Sequence, residues 1–77
     1  MTIGELIEEL SKFDPNLHVF IPGYEGGYAD PIIGDEDIFE LGVNVEWYYG
    51  PHTKLSPENP PRIDKNIVKG ITLYEHY

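Results

Sequence analysis

From Phe39 to Tyr49 the chain alternates strictly: Phe39, Leu41, Val43, Val45, Trp47 and Tyr49 take one parity, and Glu40, Gly42, Asn44, Glu46 and Tyr48 the other. A period of two belongs to an extended strand, whose successive side chains leave opposite faces of a sheet. The expectation is one long strand with an apolar face, and Gly42 in its middle marks a bulge or a close backbone approach. An apolar sheet face has to be covered by something.

One segment offers that cover. Thr2-Ile3-Gly4-Glu5 fits a capping box, in which the threonine hydroxyl and the glutamate carboxylate satisfy each other's orphan backbone N–H groups. Ile3, Leu6, Ile7, Leu10 and Phe13 then form one apolar helical stripe. Glu5, Glu8, Glu9 and Lys12 are left for solvent, with Glu8 and Lys12 spaced to pair at i, i+4. Asp14-Pro15-Asn16 ends the helix, because the residue before a proline is pushed out of the α region. Leu17 to Ile21 reads as a short strand closed by Pro22-Gly23. The glycine- and proline-rich stretch from Gly23 to Pro31 reads as a structured loop, a tight reversal with positive φ at its glycines. Pro51, Pro57, Pro60 and Pro61 make Gly50 to Asp64 a long loop, and Asn66 to Glu75 is the last strand, with Ile67, Ile71 and Leu73 on one side. The order α-β-β-β without a crossover helix implies antiparallel pairing. The expected fold is therefore α+β: one N-terminal helix packed on a three-stranded antiparallel sheet, with Leu6, Leu10, Val43 and Val45 meeting in one thin core.

Seventy-seven residues make a single domain, 1–77. A chain of this size buries only ~60% of the surface its unfolded form exposes, so small domains lean on disulfides, metals or self-association. With no cysteine, disulfides and thiolate zinc sites are excluded, and self-association rises as the remaining support. The absence of thiols fits a reducing compartment, and no basic n-region or apolar h-region follows Met1, so a cytoplasmic setting is expected. No apolar run approaches the ~20 residues that cross a bilayer.

Charge is the strongest global signal, at a net −9. Residues 1–50 carry eleven acids against Lys12 alone, a net −10, whereas residues 51–77 carry three acids and four bases, a net +1. Such a field repels phosphate backbones and anionic lipid and favours a basic protein partner, so direct binding to nucleic acid or membrane is not expected. Imitation of DNA is also disfavoured. Glu40 and Glu46 would lie about 20 Å apart on a strand, whereas duplex DNA carries a charge every ~1.7 Å.

Catalytic chemistry is poorly supplied. Ser11 and Ser56 stand outside any strand-turn-helix elbow, and His18, His52 and His76 lack metal-protease or finger spacing. Gly34-Asp35-Glu36-Asp37 gathers three acids without the frame of a calcium loop. The Gly23–Tyr28 loop lacks a P-loop lysine and places Glu25 where an anion would sit. No catalytic residue, metal ligand or cofactor is assigned. Recognition is better served. Tyr24 and Tyr28 can form a contact loop, and Trp47-Tyr48-Tyr49 puts Tyr48 away from the core. With Phe20, Tyr74 and Tyr24, Tyr48 would form an aromatic patch on the second sheet face, rimmed by Glu40 and Glu46.

The opening TIGELIEEL, followed by FDPNLHVFIPGYEGGY, resembles a class of short, uncharacterised acidic accessory proteins of bacteriophages and prophages. The likeness covers about the first two-fifths of the chain and implies a product that binds a host protein in the bacterial cytoplasm. It brings no activity and no site residues with it. The sequence therefore points to a non-enzymatic interaction protein contacting a basic partner through Tyr24, Glu25, Tyr28, Glu40, Glu46 and Tyr48. The alternative is a small enzyme, small-molecule or metal binder using Gly23–Asp37, and a third reading is a homodimer joined through the second sheet face.

Overall fold

A computed structural model describes residues 1–76. The chain is α+β, but with six short strands among the described residues rather than three. A helix α1 (Ile3–Leu10) precedes β1 (Ile21–Pro22), β2 (Tyr28–Ile33), β3 (Asp37–Glu40), β4 (Thr53–Lys54), β5 (Ile67–Gly70) and β6 (Leu73–His76). They form two three-stranded antiparallel sheets, ordered β1-β2-β6 and β4-β3-β5. The expected single sheet of order α-β-β-β is thus corrected.

The two sheets are consecutive parts of one ribbon. β2 runs into β3 on one side, and β5 into β6 on the other. Ile33 lies opposite Leu73 and Asp37 opposite Gly70, so three residues (34–36) on one side face two (71–72) on the other. One extra residue is the signature of a bulge, and it changes which parity faces which edge. The hydrogen bonds record the change: Gly34 N–H reaches the Thr72 carbonyl, whereas Leu41 N–H, at odd parity, reaches the Asn66 carbonyl. The same parity explains how Pro31 sits within β2. Its missing N–H faces the edge away from β6, beyond the point where β1 ends at Ile21.

Several local readings hold. The capping box is present, with Thr2 Oγ1 accepting from Glu5 N–H at 3.1 Å and Glu5 Oε1 accepting from Thr2 N–H at 2.9 Å. Glu5 is held below the usual carboxylate range, first by that backbone N–H and then by the threonine hydroxyl. Lys12 pairs with Glu9 at 3.1 Å rather than with Glu8. The Asp14 carboxylate accepts Asn16 N–H at 2.9 Å, so the expected turn forms, but α1 has already ended at Leu10 with Ser11 as its C-cap. The glycine reversal also forms: Gly23 N–H meets the Gly27 carbonyl at 3.0 Å, with Gly26 and Gly27 at φ 140° and 65°. A β-carbon on Gly23 would strike the Gly26 carbonyl oxygen.

Other readings fail, and the single last strand expected from Asn66 to Glu75 is split into β5 and β6. The strand expected from Leu17 keeps only Ile21 and Pro22, and the loop expected to run to Pro31 gives way to β2 at Tyr28. The long strand expected to reach Tyr49 stops at Glu40, because Gly42 takes φ 67° and turns the chain out of the sheet. The N–H groups of Val43 and Asn44 then converge on the Pro51 carbonyl instead of on a neighbouring strand.

The expected core is also corrected. Val43 is buried at 8% exposure, but Leu10 and Val45 are exposed and Leu6 is half-buried. Among the described residues no other apolar side chain is buried, and no strand lies against α1. Its stripe of Ile3, Ile7, Leu10 and Phe13 faces outward.

Candidate interaction site

β3 positions the most enclosed polar group of the molecule. Glu40 is 1% exposed, and its carboxylate accepts the backbone N–H groups of Arg62 at 2.8 Å, Ile63 at 3.0 Å and Asp64 at 2.8 Å. Just past these three N–H groups the chain turns through positive φ at Asp64 and Asn66, 60° and 51°. The Arg62 N–H is the main reason the Glu40 carboxyl lies below the usual glutamate range; burial opposes it, and the Ile63 and Asp64 N–H groups reinforce it. Glu40 therefore does not rim an exposed patch. It ties the end of the proline-rich segment to the sheet.

The other end of that segment is tied by Asn44 and His52. Asn44 Nδ2 donates to the Gly50 carbonyl at 2.8 Å and to Thr53 Oγ1 at 3.0 Å, and Gly42 N–H donates to His52 Nδ1 at 3.0 Å. Arg62 Nη1 reaches the Val43 carbonyl at 3.4 Å. Gly50–Asp64 is thus an ordered excursion that includes β4 and the bridge between Ser56 and Asn59. Asn44 and His52 were not marked by the sequence. Asn44 sits at a polar parity that suggested a solvent face, and His52 stands alone in a loop.

The two anchors present a turn between them. Tyr49 N–H bonds the Glu46 carbonyl at 3.1 Å, and the turn carries Trp47 at 93% exposure beside exposed Val45, Tyr48 and Tyr49. Trp47 and Tyr48 meet edge to face at 5.6 Å, and Tyr48 and Tyr49 lie 5.0 Å apart between centroids. Glu46 is exposed on the same turn. Such an aromatic cluster is costly to leave in water unless a partner covers it, and its composition is that of an interface hot spot.

The remaining expected residues lie elsewhere. Tyr24, Glu25 and Tyr28 share the glycine reversal, where Tyr24 and Tyr28 are exposed beside an open hollow of about 780 Å³ that His76 also lines. Tyr28 opens the course that Glu40 ends, so up to about 40 Å of strand at ~3.3 Å per residue lies between the reversal and the start of the aromatic turn. The expected patch is therefore two sites at opposite ends of the ribbon. Phe20 belongs to neither cluster and stacks on His18 at 6.1 Å, while Tyr74 sits opposite Ile32 in β6.

The acidic turn is also divided. Asp37 Oδ2 pairs with Lys54 Nζ of β4 at 3.0 Å. Among the described residues no three His, Cys, Asp or Glu side chains gather closely enough to hold a metal ion, and no helix is long and apolar enough to cross a membrane. A comparison with known proteins found no matching family model, curated protein or solved structure.

Proposed function

We propose that this chain is a non-enzymatic interaction protein that engages a basic protein partner, in the manner of a phage accessory factor acting on a host protein in the bacterial cytoplasm. The observation that carries the reading is the turn 45–49. It exposes a tryptophan and two tyrosines on a backbone fixed at both ends by Asn44, the Pro51 carbonyl and the Glu40 anchor. Preorganisation matters here, because a contact loop that is already ordered loses less entropy on binding. Glu46 beside the aromatics, within a segment of net −10 over residues 1–50, gives the contact its preference for a basic surface.

The test is affinity capture from a bacterial lysate at low and high salt, with wild-type protein and a Trp47→Ala/Tyr48→Ala variant run side by side. A basic protein retained by wild type at low salt, released at high salt and lost from the variant supports the reading. Retention that ignores both salt and the variant contradicts it.

A second reading rests on the open hollow beside Tyr24, Tyr28 and His76, which could admit a small molecule. A metabolite or metal that raises the melting temperature, and stops doing so in Tyr24→Ala, would favour this reading.

A further inference from the structure

The molecule exposes far more surface than a self-contained chain of its mass. Its accessible area is 6859 Å², whereas a compact monomer of 8.8 kDa has about 4,800 Å². Its radius of gyration is 14.8 Å, against about 11.5 Å for a compact domain of this length. The excess, roughly 2,000 Å² per chain, is of the size that obligate dimers bury.

Part of the excess lies in two apolar faces. One is the α1 stripe of Ile3, Ile7 and Leu10, continued by Phe13. The other is the ribbon face on which Ile33 lies opposite Leu73 and Ile38 opposite Lys69. A helix stripe and a sheet face are the two surfaces that an α+β domain normally joins, yet here each stands open within the same chain.

We infer that a second copy of this chain covers them, the helix of each copy lying on the ribbon of the other. Residues 11–20 contain no helix or strand and set α1 apart from the strands of its own chain. The contact is isologous, so each chain supplies one stripe and receives one, and the assembly closes at two. Charge agrees with the pairing. Glu5, Glu8 and Glu9 flank the stripe, while Lys69 projects among the apolar residues of the receiving face. This inference is independent of the aromatic turn, which lies outside both faces.

The absence of native cysteine makes the test direct. Sedimentation of the wild-type chain across micromolar concentrations should give twice the 8.8 kDa mass; a strict monomer overturns the inference without any variant. A Leu10→Cys/Leu73→Cys double variant, treated with a short flexible bismaleimide, should give a covalent dimer. Leu10→Cys alone and Leu73→Cys alone should give at least tenfold less, and an equal mixture of the two single variants should restore the product. An internally looped monomer from the double variant would place the helix on its own ribbon and overturn the inference. Strong dimer product from Leu10→Cys alone, or no product from any sample, would do the same.

Discussion

The two ends of the ribbon solve the problem of a small chain differently. Around β3, β4 and β5 the polar groups are answered from within: Glu40 takes three backbone N–H groups, Asn44 bridges Gly50 and Thr53, and the chain encloses Val43. Around α1, β1, β2 and β6, and on the Ile38 side of β3, the backbone is paired but apolar side chains are left open. The first region is held by hydrogen bonds that need no second molecule, and the second has apolar surface awaiting one. A chain too short to bury two faces can thus keep a rigid contact turn at one end while the other end depends on association.

The contrast breaks most visibly at Glu40. Glu40→Gln replaces one acceptor oxygen by an N–H₂ group aimed at backbone donors, and should lower the melting temperature by about 10 °C or more. In hydrogen exchange the amides of Arg62, Ile63 and Asp64 should lose protection, whereas those of β2 and β6 should change little. The same group sets a pH dependence. Its carboxyl is depressed in the folded chain, so its contribution is fully present above the ordinary glutamate range and disappears as pH falls through the lower folded value. Acid titration followed by near-ultraviolet circular dichroism should show this loss in wild type and a flatter profile in Glu40→Gln.

Smaller effects sharpen the comparison. Asn44→Ala removes the bridge to Gly50 and Thr53, and urea denaturation should register about 1–2 kcal/mol. Thr2→Ala removes the helix cap at a cost of about 1 kcal/mol, visible as lost helical ellipticity rather than as loosening of the turn 45–49. Trp47→Ala should change stability by no more than about 0.5 kcal/mol, since the side chain touches little of its own chain, while weakening capture of a basic partner at least tenfold.

Legibility in the sequence follows the range of the interactions. The capping box, the Asp14 turn and the glycine reversal were readable because each is decided within a few residues. The alternation through Tyr49 misled because periodicity reports only what a strand would need. It does not reveal that a positive φ at Gly42 redirects the chain, or that the Pro51 carbonyl collects the next two N–H groups. Glu40 looked like a surface acid for the same reason: its partners are backbone groups more than twenty residues away, and backbone donors leave no trace in side-chain identity. Of the expected contact residues, Glu46 and Tyr48 do share one turn, and Tyr24, Glu25 and Tyr28 another, but the bulge at 34–36 and the length of the ribbon keep the two apart.

Amide hydrogen exchange of the wild-type chain, measured at low and high protein concentration, probes the division between the two regions most directly. The account predicts that Arg62, Ile63 and Asp64 are protected at both concentrations, whereas protection of α1 rises with concentration. Equal protection of α1 throughout the dilution series, or rapid exchange at Arg62–Asp64 in the concentrated sample, would contradict it.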